Sequence, residues 1–325
     1  MVRFNPKARL DTSRMRDGGS SGGGGFGGGM GGAGMRLPLP TSRGGCLMYV
    51  VVIGVLLVVS MCGGPNLVGD VLGGSSSGYS TSRISDAQGA GSDRYADCKT
   101  GADANDSVDC ARVAYENSIT DFWSHQDIPG WKPIDALTTF TGNVSTGCGG
   151  ASAETGPFYC PADHVIYEDT SFYEEVLQRQ LGGPNGGFVE GYVLAHEYGH
   201  HISNLQGFMN RVKTQQGPTS GSTRLELQAD CYAGLWAQHA TTTEDANGDV
   251  LLQDLSDDDI KLAIEAARSV GDDRIQKKAQ GKVNPDAWTH GSSAQREHWF
   301  RVGYEGGKVG SCDTFDATDD EVLGR

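Results

Sequence analysis

His196-Glu197-Tyr198-Gly199-His200 constrains this chain more than any other stretch. It reads H-E-x-x-H, and the apolar run before it, Phe188 to Ala195, has helical character. On a helix, residues four apart share one face. His196 and His200 can therefore present two imidazoles to one zinc ion, with Glu197 beside them where a reacting water would sit. The pattern predicts hydrolysis by a zinc-activated water, with Glu197 as general base, most often of a peptide bond.

Two histidines leave such a site incomplete, because catalytic zinc usually takes three protein ligands. A third His six residues after the second would be the metzincin arrangement, but that position is Gln206, which rules it out. A carboxylate on a later helix fits better. Arg224 to Gly234 supplies Glu226 and Asp230, four apart and so on one helical face. Glu226 is expected to be the third ligand. Asp230, one turn on, is expected to hydrogen-bond a ligand imidazole and fix its tautomer. A Glu/Asp pair on a helix more often faces water. Here Leu225, Leu227, Ala229, Tyr232 and Ala233 predict burial, which an acidic pair tolerates only with a partner. His201 is turned by about 100° from His200 and reads as a packing residue.

These segments, with others, resemble the bacterial putative neutral zinc metallopeptidase family over roughly residues 97–312. The matching pieces are Gly156 through Asp163 with Ile166 and Tyr167; Ala195 through His201; Glu226 through Cys231; and Thr289 through Ser293 with Gln295, Arg296, Trp299 and Phe300. The resemblance implies a zincin-like, gluzincin-type domain with Zn2+ as cofactor and a peptide or protein as substrate. It does not say which peptide. His164 and Glu168 depart from the family pattern near a strand that could line the cleft. Trp288 through Arg296 also resembles the T-H-P…R region of membrane-linked gluzincins. That likeness implies a catalytic role for His290, donating to the oxyanion, with Tyr304 as another candidate donor. The structural alternative is a His packed at a helix start and an Arg paired with an acid. Ser292 or Ser293 is expected to cap the helix carrying Arg296 and Trp299.

The rest of the chain is uneven. Residues 1–45 carry seven Lys/Arg and two acids, whereas the whole chain is −15, so the remainder is strongly acidic. An acidic body argues against nucleic acid as a partner, since phosphate binding needs clustered Lys/Arg. Residues 46–62 hold no charge, and flanking glycines extend the stretch towards the ~20 residues that span a bilayer. A signal peptide would be shorter and nearer Met1. The expected organisation is a basic, Gly-rich, disordered cytoplasmic tail (1–44), a transmembrane helix (45–63), a flexible linker (64–95), the metallopeptidase domain (96–315) and an acidic C-terminal tail (316–325). The positive-inside rule makes this a single-pass cell-membrane protein, N-terminus cytoplasmic and catalytic domain extracytoplasmic.

Six cysteines follow the apolar stretch, and six allow 15 pairings. Short loops favour Cys98–Cys110 and Cys148–Cys160, which leaves Cys231–Cys312. Helical spacing is read over Ser107–Gln126 and at about 170–180, 187–205, 222–240, 256–270 and 292–304. Extended segments are read at 136–145, 156–160 and 164–168, so the fold class is α+β, mainly helical with a small sheet. Asp245 to Asp249 starts like a calcium loop but lacks the required Gly, and reads as a polar loop. Two other functions suit the same residues: a non-catalytic zinc-containing envelope binding protein, and a zinc hydrolase of a non-peptide amide. The intact Glu197 favours an enzyme over the first, while the motif does not separate the second from proteolysis.

Overall fold

The structure is a computed structural model, and it describes residues 2–20 and 94–325. The expected transmembrane helix (45–63) and nearly all of the expected linker lie outside those residues. Among the described residues, no helix is long and apolar enough to cross a membrane. Two short strands come first, β1 (Arg3–Phe4) and β2 (Met15–Ser20). Helices α1 (Gly101–Asp106) and α2 (Val108–Ser124) follow, then β3 (Ala136–Thr141). Next are the hairpin β4 (Asn143–Thr146) and β5 (Gly149–Ser152), and the strands β6 (Phe158–Cys160) and β7 (Val165–Asp169). A π-helical segment, Phe172–Gln180, leads to α3 (Gly187–Leu205) and α4 (Gly221–His239). The chain continues through β8 (Leu252–Asp254), α5 (Asp257–Ser269), α6 (Asp272–Gln280), α7 (Ser293–Gly306) and α8 (Asp319–Val322). Helices outweigh small sheets, and the class is α+β as expected.

Side-chain caps start five of these helices, among them α8, where Thr318 accepts the Glu321 N–H. Ser107 accepts the Cys110 N–H ahead of α2, and Ser220 accepts the Thr223 N–H ahead of α4. Ser256 with Asp259, and Ser292 with Gln295, form capping boxes at α5 and α7. Of the two serines considered for α7, Ser292 is the cap. The main sheet has the order β2-β3-β7-β6: β3 lies parallel to both β2 and β7, and β6 runs antiparallel to β7 at the edge. The core is aromatic. Tyr115 of α2 meets Phe188 of α3 and Trp236 of α4 edge-on, and Phe188 stacks on Trp236 at 5.5 Å. Because α3 runs through this core, it is buried on nearly every side, and its first half is apolar apart from Glu190. The three disulfides are Cys98–Cys110 and Cys148–Cys160, as the loop lengths suggested, and Cys231–Cys312, the pair left by elimination.

Both ends of the chain correct the sequence reading. Residues 2–20 are not part of a disordered tail. β1 pairs with β8, and β2 adds to the main sheet beside β3. Arg14 clamps the buried Glu116 of α2 through two bonds, Nε to Oε1 at 2.6 Å and Nη2 to Oε2 at 3.2 Å. Phe4, Ala8 and Met15 are buried in the core. Arg14, one of the basic residues that read as a tail, is therefore the partner of a body acid. At the other end, α8 docks on α7: the Val322 carbonyl accepts from Gln295 Nε2 at 3.0 Å and Trp299 Nε1 at 3.4 Å. Residues 318–322 thus belong to the domain, while their acids face outward.

Glu168, considered for a cleft wall, is instead fully buried. It shares the Arg112 guanidinium with Glu190, Arg112 Nε lying 3.1 Å from Glu168 Oε1 and 2.6 Å from Glu190 Oε1. Helices α4 and α7 touch backbone to backbone. A Cβ added at Gly303 would lie 1.9 Å from the Cys231 carbonyl oxygen, and one at Gly234 would lie 2.0 Å from that of Phe300. Gly303→Ala is expected to lower stability at the upper end of the roughly 1–3 kcal/mol that overpacking costs. Thermal unfolding checks this; an unchanged midpoint would mean the helices can part without loss.

Candidate metal centre

Helix α3 carries His196, Glu197 and His200, and α4 crosses it where the two can come closest. At that crossing Gly199 faces Ala229: a Cβ on Gly199 would sit 3.0 Å from the Ala229 Cα. The missing side chain lets α4 bring Glu226 over both histidines. His196 Nε2 lies 3.3 Å from Glu226 Oε2, and His200 Nε2 lies 3.5 Å from Glu226 Oε1. Zinc bonds of about 2.0–2.2 Å at tetrahedral angles separate donor atoms by roughly 3.3–3.6 Å. All three residues are buried, and their ligand atoms converge as a group able to hold a metal ion. His196 Nε2 and Glu226 Oε2 are buried with no hydrogen-bond partner among the described residues, so the donor set fits a cation. Among the described residues, no other cluster of three such side chains does so.

The electrostatics agree with that fit. Burial pushes Glu226 up, but His200, His290 and His196 outweigh it and hold the carboxylate ionised, at about 2. Burial drops His200 to about 4, leaving a neutral imidazole with a lone pair to give. His196 is held by Asp230: its Nδ1–H donates to Asp230 Oδ1 at 2.9 Å, which turns Nε2 towards Glu226. Burial would lower His196, yet the Asp230 carboxylate prevails and raises it to about 9, so without an ion Nε2 keeps a proton that a bound metal would displace.

Asp230 is itself tightly held. Arg296 of α7 forks onto both its oxygens, Nε to Oδ2 at 2.7 Å and Nη2 to Oδ1 at 2.9 Å. Tyr192, one turn before His196, donates to Oδ1 at 2.6 Å. Both Asp230 and Arg296 are fully buried. Burial alone would raise Asp230, but Arg296 and His196 carry it well below the usual carboxylate range. The Arg paired with an acid that the sequence left as a structural option is present, and the acid is the one that orients a candidate ligand.

Glu197 lies beside this set. Its Oε2 accepts the Tyr159 N–H of edge strand β6 at 2.9 Å, and its buried Oε1 has no hydrogen-bond partner among the described residues. Burial raises it to about 8 in the absence of an ion, with the Glu226 charge adding to the shift; a cation held beside it would lower it again towards the ionised form that a general base needs. The Tyr159 hydroxyl reaches α3 a second time, bonding Asn204 Nδ2 and His201 Nδ1 at 3.0 Å each. His201 completes its bonding on the Lys132 carbonyl and takes no part in the ligand set, as expected. His164, in the left-handed region at φ 55°, places Nδ1 3.0 Å from the same hydroxyl.

His290 is buried at the turn before α7, bound to Asp272 and Thr289 and near enough to Glu226 to help hold it ionised. Tyr304 is two turns beyond Arg296 on α7, about 12 Å along the axis, and stacks on Phe300. It is therefore not brought to the ligands. The sequence reading missed Tyr159, Tyr192 and Asp272. Tyr192 carried a usable signal, four residues before His196 and so on its face. Tyr159 acts through a backbone N–H, which leaves no mark in sequence.

The comparisons with known proteins agree with this geometry. A family model described as putative neutral zinc metallopeptidase matches residues 6–315. The chain belongs to that family. An uncharacterised protein of Mycobacterium tuberculosis is 51% identical over 225 residues, 68% of this chain and 75% of that protein, and one of Mycobacterium bovis matches to the same extent. The uncharacterised protein YpfJ of Escherichia coli K12 is 42% identical over 185 residues, 55% of this chain and 61% of that protein. No solved structure matches the chain. The family match begins at residue 6, between the two strands β1 and β2 that the sequence had suggested were part of a tail.

Proposed function

We propose that this protein is a zinc-dependent metallopeptidase in which His196, His200 and Glu226 hold the ion and Glu197 is the general base. The observation that carries the reading is the spacing of the two Nε2 atoms from one carboxylate, 3.3 and 3.5 Å, with a second buried carboxylate alongside. Bound there, zinc would supply a Lewis acid that acidifies water and polarises a carbonyl. The chain's own residues do the rest. Glu197, steadied at Oε2 by Tyr159, takes the proton of the attacking water on Oε1 and passes it to the leaving amine as the C–N bond breaks. Asp230, clamped by Arg296 and Tyr192, keeps His196 in the tautomer that binds through Nε2. His290 donates to the oxyanion of the tetrahedral intermediate.

The test is a broad peptide library with mass-spectrometric readout, run on the zinc-loaded protein with and without chelator. Chelator-sensitive cleavage supports the reading. Zinc bound at one per chain without cleavage of any peptide would sink it and leave a non-peptide amide or a binding role.

The reading extends to location. Three disulfides suit an oxidising, extracytoplasmic compartment, and residues 46–62 supply an uncharged stretch for membrane attachment. The pairing of β1 and β2 with the body supports residues 2–20 lying on the same side of a membrane as the body. A cytoplasmic N-terminus opposite an outward body would require both strands to leave their partners. In intact cells, cysteines introduced at the exposed Lys7 and at the exposed Lys282 are expected to react alike with a membrane-impermeant maleimide. Labelling at Lys282→Cys alone would restore the single-pass arrangement.

A further inference from the structure

Tyr159 holds helix α3 twice, once through its backbone and once through its hydroxyl. The N–H donates to Glu197 Oε2 at 2.9 Å, while the hydroxyl bonds His201 and Asn204, about one and two turns further along. Glu197, His201 and Asn204 are four and seven residues apart in register and so form one stripe of the helix. The tyrosine lies along that stripe and is buried. The roles at its hydroxyl follow from its partners. His201 Nε2 lies 2.8 Å from the Lys132 carbonyl, which only accepts, so Nε2 carries a proton. Burial drops His201 to about 4, so the ring is neutral, and its Nδ1 accepts from the Tyr159 hydroxyl at 3.0 Å. That uses the one hydroxyl proton. Asn204 Nδ2 and His164 Nδ1 therefore donate to the hydroxyl oxygen, at 3.0 Å each. Strand β6 has reason to need this anchor. It is three residues long and, at the edge of the main sheet, pairs only with β7. Phe158 has no polar side-chain atom and stacks on Tyr167, and Cys160 is bonded to Cys148. Tyr159 thus supplies the side-chain hydrogen bonds from β6 to α3.

We propose that Tyr159 is a positioning residue for the general base: its hydroxyl, anchored on His201, Asn204 and His164, fixes the N–H that holds Glu197 Oε2 and so sets where Oε1 stands. Oε1 is buried with no hydrogen-bond partner among the described residues, so the grip on Oε2 is what orients the carboxylate. The proposal rests on the metallopeptidase reading for what Glu197 does, and goes beyond it in giving a part to a hydroxyl outside the ligand set.

The experiment uses the full zinc-loaded chain, its Tyr159→Phe and Glu197→Gln variants and the double variant. For each, kcat and KM are measured on a peptide that the wild type cleaves, together with zinc content. Hydrogen exchange at the residue 159 amide is followed by NMR on the same samples. Phe keeps the ring and the backbone N–H and removes only the hydroxyl. Misplacing a group by about 1 Å can cost about 100-fold. Tyr159→Phe is therefore expected to lower kcat by up to about 100-fold, with KM and zinc content unchanged. Exchange at residue 159 is expected to quicken by about 10-fold or more, as a hydrogen bond to a charged group is loosened. In the Glu197→Gln background the hydroxyl should no longer matter, because no base remains to be placed. A merely structural role would lower the residual rate there too, or release zinc. Wild-type kcat or wild-type exchange in Tyr159→Phe, a change in KM alone, or losses that multiply in the double variant would overturn the proposal. If Tyr159→Phe does not fold, Asn204→Leu removes one donor to the hydroxyl from a half-buried position. It is expected to lower kcat in the same direction, and unchanged kcat counts against the idea. Failure of the peptidase reading looks different: the wild type cleaves no peptide, while the amide exchange still decides whether the hydroxyl holds the N–H in place.

Discussion

Glu197→Gln is expected to retain zinc and lose about 10²–10⁴-fold in kcat, the range that general acid–base groups contribute. The variant is nearly isosteric, and its amide oxygen can still accept the Tyr159 N–H that now binds Oε2 at 2.9 Å. What it loses is the ability to take up and return a proton. Glu197 is outside the group of three that converges on a metal position, so metal content is the internal control. Loss of zinc from Glu197→Gln would assign the carboxylate to the ligand set instead. Wild-type turnover would place the base elsewhere.

Arg296→Met is expected to destabilise the domain by about 3–5 kcal/mol, because it leaves the Asp230 carboxylate buried without its cation. Arg296 and Asp230 are each 0% exposed, so water cannot replace the lost fork. Chemical unfolding reads the loss directly. Zinc affinity is expected to fall as well, by the roughly 10–100-fold typical when the partner of a ligand histidine is disturbed. Adding Asp230→Leu separates the two effects. With both charges gone, stability should recover in large part. Zinc affinity should not, because His196 Nδ1 has then lost its acceptor. Recovery of both would show that the chain Arg296–Asp230–His196 serves packing alone.

Much of the site was legible because its logic is local. The four-residue spacings of His196 with His200, and of Glu226 with Asp230, are helix periodicity, and periodicity survives in sequence without any knowledge of the fold. The apolar neighbours of Glu226 correctly predicted burial, and burial of an acid requires a partner. Residue types could not report contacts made by the backbone or across long separations. β1 is two residues long, and β2 pairs in parallel with a strand more than 100 residues later, followed by a glycine-rich stretch that reads as tail. Asp272 looks like an ordinary first-turn acid of α6; only the fold shows its carboxylate collecting a distant turn. Glu168 misled for the opposite reason: its departure from the family pattern near a strand that could line the cleft is answered inside the core by the buried Arg112.

The measurement that tests the central claim most directly is zinc-edge X-ray absorption on the full, zinc-loaded chain beside its Glu226→Ala variant. The account predicts one zinc per chain with two imidazole nitrogens and light oxygen donors at about 2.0–2.2 Å, no sulfur, and loss of the site in Glu226→Ala. A sulfur shell, or an unchanged spectrum and zinc content in Glu226→Ala, would contradict it.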